Sequence, residues 1–328
     1  MAPLQLILDV DTGIDDALAI AFAVSRPDIE LLAISCVAGN TSVERVRDNT
    51  LKLLDVLRAP DVPVALGAPR PLIQQPLHAE HVHGADGMGE LRLPRSQRSS
   101  SEEPSIDVVR RALTEKDGPV TYVSLGPLTN LALLIRADST AASRIDRVVF
   151  MGGAIAGGNA TAAAEFNVWH DPEAAHIVLN SGIPTTMYSL EAFSGVIAAQ
   201  SAISVFAASG DPIRQTVADL LSFQTTTADG RIGDPFGLLG DAGVLCAMAE
   251  PEAVTRAEYR VQVDTSSTLS RGQTHVDRRP RPGEDQLHNM REEWPLIDVI
   301  DSASAHRINA VYFEAIDEYA KSMFQLER

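Results

Sequence analysis

The chain has 328 residues, 45% of them hydrophobic, which is enough for one large domain with a sizeable core. Lysine and arginine total 27 against 44 aspartates and glutamates, and the resulting net charge of −17 excludes the basic surface that nucleic-acid phosphates need. Two cysteines, Cys36 and Cys246, each lie in an apolar run and read as small buried side chains rather than a disulfide or a zinc site; no apolar run reaches membrane-spanning length.

Met1-Ala2-Pro3 leads directly into Leu4 to Leu8, a short apolar run that reads as a buried strand, so no signal peptide is expected. Asp9-Val10-Asp11-Thr12-Gly13-Ile14-Asp15-Asp16 follows, and Ala17 to Ala23 then reads as a mostly buried helix. Four carboxylates therefore sit where a strand ends and a helix begins, the edge at which open α/β sheets bind ligands. Their mutual repulsion needs an offset. A helix N-terminus favours Asp15 and Asp16, and a hard cation such as Ca²⁺ or Mg²⁺ suits a set of carboxylate oxygens. Simple helix capping by two of the acids, with Asp9 and Asp11 facing water, is the competing account. Gly13 permits a tight turn through which the acids converge.

Ile29 to Val37 reads as a second strand ending in Ala38-Gly39-Asn40, where Asn40 is a turn residue or an amide aimed at a ligand. Val43 to Leu57 has helical periodicity, and Val62 to Leu66 is a short strand. His81-Val82-His83-Gly84-Ala85-Asp86-Gly87-Met88-Gly89 reads as a mobile segment near a site; with no Cys or third His nearby, a transition-metal site there is disfavoured. Residues 92–105 read as an exposed polar connection without chemistry. A helix over Ile106 to Leu113, a strand over Val120 to Leu125 and a helix after Gly126-Pro127-Leu128-Thr129-Asn130-Leu131-Ala132 come next. Ile145 to Phe150 is a strand that opens into a glycine- and alanine-rich stretch. In Glu165-Phe166-Asn167-Val168 the polar residues alternate, which predicts an extended segment with Glu165 and Asn167 on one side. Asp171 and Pro172 are N-cap and first residue of a helix. Pro184 to Leu190 is a further strand, residues 196–224 are helical with an interruption at Gly210-Asp211-Pro212, and Tyr259 to Thr265 with Ser270 to Asp277 reads as a late strand and hairpin. Residues 278–291 read as a loop, and Ala305 to Met323 as a closing amphipathic helix. The alternation predicts one α/β domain over 1–328, with a mainly parallel sheet and flanking helices.

The pattern Asp9-x-Asp11-x-Gly13-x-Asp15-Asp16-Ala17 resembles the N-terminal signature of the nucleoside hydrolases, the inosine-uridine preferring N-ribohydrolases. Residues 126–132, 165–175, 81–89 and 270–277 resemble later motifs of that family, so the resemblance spans nearly the whole chain. It implies a Rossmann-like nucleoside hydrolase fold and Ca²⁺-dependent hydrolysis of a ribonucleoside to ribose and free base. It also implies a Ca²⁺ held by Asp11, Asp16, Asp241 and the Leu125 carbonyl, with Asp11 as the base that takes a proton from water. Asp15, Asn40, Asn159, Glu165 and Asn167 would hold the ribose, His83 would stand near the substrate, and Asp9 would position its neighbours. Phe223, Gln224 and Arg231 lie where the family varies its base-recognition residues. The resemblance further implies a cytoplasmic homodimer or homotetramer whose partner is a small ribonucleoside, with neither nucleic acid nor membrane involved.

One departure stands out. Many members carry a histidine, the leaving-group acid, before the metal Asp of the Asp241 motif; here position 240 is glycine. A general acid contributes about 10²- to 10⁴-fold to such a step, and glycine supplies none. His83 is one alternative donor. A cationic leaving base, as in a nicotinamide riboside, would need no proton. Binding of a nucleoside or ribose with little or no turnover is the other reading, and an interaction protein that merely kept the fold is disfavoured by the intact acid and ribose motifs.

Overall fold

The computed structural model describes residues 2–224, 237–290 and 293–326. In chain order the first half runs β1 (Leu4–Val10), α1 (Ile14–Ser25), β2 (Ile29–Cys36), α2 (Val43–Val56), β3 (Val64–Leu66), α3 (Glu80–His83), α4 (Ser105–Glu115), β4 (Val120–Ser124), α5 (Thr129–Ala137), α6 (Ser139–Ala142) and β5 (Ile145–Met151). The second half adds α7 (Phe166–His170), α8 (Pro172–Leu179), β6 (Thr185–Tyr188), α9 (Leu190–Ser194), α10 (Gln200–Ala207), α11 (Pro212–Gln224), α12 (Ala242–Ala249), β7 (Val254–Val263), β8 (Thr274–Asp277), α13 (Glu284–Leu287), β9 (Leu296–Ala303) and α14 (Ala305–Leu326).

The described strands form one nine-stranded sheet in the order β3-β2-β1-β4-β5-β6-β9-β7-β8. From β3 through β9 all neighbours are parallel, while β7 runs antiparallel to both β9 and β8. The expected mainly parallel α/β architecture is what the chain adopts. Alternation along β1 explains the two cores: Leu6, Leu8 and Val10 face one side, with α1, α12 and α14, and Ile7 faces the other, with α5 and α8. Helix α1 is buried along almost its whole length, which is why its sequence is apolar all round. Among the described residues no helix is long and apolar enough to cross a membrane.

Several local expectations need correction. Glu165 to Val168 is not extended: Glu165 is the N-cap of α7, and its carboxylate accepts the backbone N–H groups of Asn167 and Val168. The segment 81–89 begins with the last turn of α3, and the loop 278–291 contains α13. Strand β9 falls in a stretch to which the sequence assigns no element. The 92–105 connection is tied down by one acid, Asp55, which accepts Ser96 Oγ, Gln97 N and Arg98 Nε. The bland account of Asp171 holds: its Oδ1 accepts Ala174 N at 3.1 Å with Pro172 at the start of α8.

Candidate active site

The C-terminal ends of β1, β2, β4 and β5 share one edge of the sheet, and the chain leaving each strand contributes to a cavity of ≈ 530 Å³. Asp11 and Asp15 come from the β1–α1 turn, Asn40 from the segment after β2, Leu125 from the end of β4 and Met151 from the end of β5. His83, Asn159, Glu165, Asn167 and Asp241 also line it. Asp16 is fully buried beneath the others. Every residue assigned from the sequence to the metal, the general base or the sugar thus lies in or directly under one cavity.

The acids are held in different ways. Asp16 Oδ1 accepts Asp11 N at 3.1 Å, and its Oδ2 accepts Gly13 N at 2.9 Å and Asn40 Nδ2 at 3.3 Å. It therefore caps α1, as the simpler account of this acid requires, while also facing its acidic neighbours. Asp11 Oδ2 accepts Asn40 N at 2.7 Å. Gly39 and Gly126 wall Asp11 in, since a Cβ on Gly39 would collide with Oδ2 and one on Gly126 would stand 2.8 Å from Oδ1. Gly13 has a different reason from the expected tight turn. Its φ is −92°, open to any residue, but a Cβ there would meet Asn40 Nδ2 and His83 Nδ1, each at 2.6 Å. Asp9, expected to position its neighbours, is buried with Oδ1 accepting Asn130 Nδ2 at 2.7 Å; that amide also donates to Ser35 Oγ and the Cys36 carbonyl.

Burial and crowding set the electrostatics. Burial first, then the Asp16 charge, holds Asp11 well above the usual carboxylate range. Burial raises Asp15 to about 6, and burial with the Asp15 charge raises Asp16 to about 6. Asp241 is also pushed far up, by burial and then by Asp15 and Asp16. Among the described residues no lysine or arginine lines the cavity. Oxygens of Asp15, Asp16 and Asp241 lie within 4.8 Å of one another, and Asp15 Oδ1 and Asp241 Oδ1 have no hydrogen-bond partner among the described residues. Buried, unpaired carboxylate oxygens converging on one point fit a hard divalent cation. Asp15, which the sequence reading gave to the ribose, belongs to this acidic group as well.

The remaining polar residues sit around that group. Asn167 Nδ2 donates to the Leu125 carbonyl at 2.7 Å and to the Met151 carbonyl at 3.1 Å. Glu165 accepts Gly153 N at 2.9 Å in addition to its α7 contacts, and burial raises it to about 7. Asn159 stands at the rim, its Oδ1 accepting Phe166 N at 2.9 Å. His83 Nδ1 accepts Ile14 N at 3.2 Å, an arrangement that puts the ring proton on Nε2, and it lies 3.8 Å from Asp15 Oδ1. Burial lowers His83 to about 4, so the ring is neutral at pH 7.

Gly240 has φ +53°, where glycine is favoured, and Phe193 packs against it. Gln224 lines the cavity, whereas Phe223 packs on Gly84 and Gly89 of the neighbouring loop. Arg231 lies outside the described residues. Sequence reasoning missed Phe193, Phe166, Trp169 and His78, all of which line the cavity. Phe166 and Trp169 lay in plain view inside the 165–175 motif; Phe193 and His78 carried no local signal.

Comparison with known proteins gives a consistent picture. Residues 6–309 match the family model described as inosine-uridine preferring nucleoside hydrolase. The chain is 39% identical over 278 residues to a pyrimidine-specific ribonucleoside hydrolase, RihA of Salmonella enteritidis PT4, covering 84% of this chain and 88% of that protein. Its fold is similar to that of the plant nucleoside hydrolase PpNRh1, with a TM-score of 0.85 at 27% identity over 96% of this chain and 99% of that one. The purine-preferring ribonucleoside hydrolase from Gardnerella vaginalis superposes with a TM-score of 0.84 at 28% identity, over 97% and 99% of the two chains.

Proposed function

Because the chain belongs to the inosine-uridine preferring nucleoside hydrolase family, we propose that it hydrolyses the N-glycosidic bond of a ribonucleoside to free base and ribose in the cavity at the sheet edge. The observation that carries this reading is the convergence of buried acids, with unpaired oxygens on Asp15 and Asp241, beside a set of amides in one cavity. In this proposal Ca²⁺ is held by Asp11, Asp16, Asp241 and the Leu125 carbonyl, all oxygen donors of the kind this ion takes. Once bound, it supplies the positive charge that keeps these carboxylates ionised and makes a nearby water more acidic.

The chain's own residues do the rest. Asp11 is the general base: Asn40 N occupies its Oδ2, which leaves Oδ1 to accept the proton of the attacking water. Asp15, Asn40, Asn159, Glu165 and Asn167 bind the ribose hydroxyls and hold the sugar while positive charge develops on its ring. Glu165 can serve the sugar without moving, because three backbone N–H groups fix its carboxylate. His83, neutral with its proton on Nε2 because Nδ1 accepts Ile14 N, can offer the departing base a hydrogen bond, while the proton that base takes up comes from water.

A second reading is favoured by the acidic cavity and Gly240 together. An N-riboside with a cationic base would be drawn to the cavity and would leave without a proton. Ribose release from uridine, cytidine, inosine, adenosine, guanosine and nicotinamide riboside, measured with and without chelator, separates the two. Chelator-sensitive release from a neutral nucleoside is the expected result, and the similarity to RihA makes the pyrimidine nucleosides the first to test. Release from nicotinamide riboside alone would support the second reading, and silence across the panel would overturn both. A homodimer or homotetramer completes the proposal, and light scattering tests it.

A further inference from the structure

Gly240 looks like a simple loss in the sequence, but its surroundings give it a counterpart. A Cβ at 240 would stand 2.7 Å from Asp15 Cβ, 2.9 Å from Phe193 Cε2 and 3.1 Å from Phe193 Cζ, in a backbone conformation that already disfavours side chains. The place of a residue-240 side chain is therefore taken by the Phe193 ring. Two atoms 2.7 and 2.9 Å from one point are at most 5.6 Å apart, so the ring edge lies beside Asp15, which the proposal above assigns to the sugar.

The backbone fixes the ring there. Ser189 caps α9, its carbonyl accepting Phe193 N at 3.0 Å. The Glu191 carboxylate accepts Ile155 N and Ala156 N, both at 2.9 Å, and so ties α9 to the chain leaving β5. Just beyond α9, Ile197 forms a β-bridge with Leu238, flanked by Leu239 N to the Val196 carbonyl at 3.1 Å and Ala198 N to the Gly237 carbonyl at 2.7 Å. That bridge sets the register of Phe193 against Gly240. The ring is only partly buried and lines the cavity with the apolar residues Ile14, Val82 and Leu238, in contrast to the acids and amides of the sugar-binding set.

We propose that Phe193 is a specificity-determining residue that receives the planar heteroaromatic base of the substrate, its ring supplying the contact surface that residue 240 lacks. This rests on the ribonucleoside-hydrolase reading for its substrate class, but the contact itself is testable by binding alone. Base–aromatic stacking is typically worth about 1–3 kcal/mol, and a tenfold change in affinity, about 1.4 kcal/mol, lies within that range.

The test uses the Ca²⁺-loaded protein and its Phe193→Leu and Phe193→Trp variants. Calorimetry measures binding of ribose and of the free bases uracil, hypoxanthine and nicotinamide, and steady-state kinetics gives KM and kcat for any nucleoside that turns over. Phe193→Leu is expected to weaken the best-bound base about tenfold and to raise KM by a similar factor, with ribose affinity within twofold of the parent. Phe193→Trp is expected to keep base affinity within threefold. The proposal is overturned if Leu leaves base affinity unchanged, if ribose and base weaken together, if Trp is as poor as Leu, or if the parent protein binds no base. Absence of ribose release from every nucleoside, with base binding still dependent on Phe193, would sink the hydrolase reading and leave this contact standing.

Discussion

His170 gives the chain a pH-sensitive stability that can be worked out from its surroundings. The ring is 1% exposed, packs at a tilt against Phe166 with ring centroids 5.7 Å apart, and has no hydrogen-bond partner at either nitrogen among the described residues. Burial, helped by the nearby His78, lowers it from 6.5 to about 4. In the unfolded chain it takes a proton as the pH falls through about 6.5, and in the folded chain only near 4. The unfolded state therefore binds more protons between those values, and stability is lost as the pH falls from about 6.5 to about 4. At pH 5.0 the loss from this one group comes to about 2 kcal/mol, or about 3 °C in Tm for a chain of this size. Replacing His170 with Phe strands no donor or acceptor, because the imidazole nitrogens make no bonds to lose. Urea unfolding of both proteins at pH 7.5 and pH 5.0 isolates the term, since other titrating groups contribute equally to each. His170→Phe should lose about 2 kcal/mol less than the parent over that interval. Equal losses in the two proteins would refute the reasoning and mean that the ring is hydrated or hydrogen-bonded in solution.

Asp11→Ala should lower kcat by about 10²- to 10⁴-fold with an unchanged circular dichroism spectrum, as expected for loss of a general base; undiminished turnover would remove Asp11 from the mechanism. Ca²⁺ at a hundred times its Kd should raise the stability by about 2.7 kcal/mol, about 4 °C in a thermal melt, and the rise should vanish in Asp241→Ala. Asp171→Ala should cost about 3 kcal/mol in urea unfolding. It strips a cap from Ala174 N and leaves Leu72 N and Thr129 Oγ1, at 2.9 and 2.7 Å from Asp171 Oδ2, without their buried acceptor. A loss below about 0.5 kcal/mol there would mean that water replaces the carboxylate.

Much of this architecture was legible because its strands are buried on both faces and read as short apolar runs, with the ligand-facing residues directly after them. Leu4 to Leu8 followed by four acids, and Ile29 to Val37 followed by Gly39-Asn40, each announce a strand and its functional edge. β9 was not legible. Its Leu296-Ile297-Asp298-Val299-Ile300-Asp301 alternates only in part, and its partners β6 and β7 are distant in sequence. Glu165 to Val168 misled for a different reason. Four residues are too few to separate a period of two from a helical turn, and the deciding contact, Gly153 N to Glu165, is tertiary. Phe193 could not be found from sequence at all, because the Ile197–Leu238 bridge that brings it to Gly240 is itself a product of the fold.

The acid cluster also bears on whether this site is prepared for a ligand or merely tolerated. Burying carboxylates is costly unless each is paired, and a fold that only needed to survive would pair them all. The chain does so selectively. Asp16 has both oxygens on donors of the β1–α1 turn, Asp11 has Oδ2 on Asn40 N, and Asp9 has Oδ1 on Asn130, with its Oδ2 unpartnered among the described residues. The donors within reach are thus spent on fixing the positions of the acids. Asp241 begins α12 without using its side chain as a cap, and its Oδ1, like Asp15 Oδ1, has no partner among the described residues. A cap at that position would have stabilised the helix by about 1 kcal/mol, as the same residue type does at Asp171. Forgoing it keeps an oxygen free at the point where three acids converge. The stability given up there makes sense as the cost of holding a cation, which places the electrostatic burden of the site on the ion.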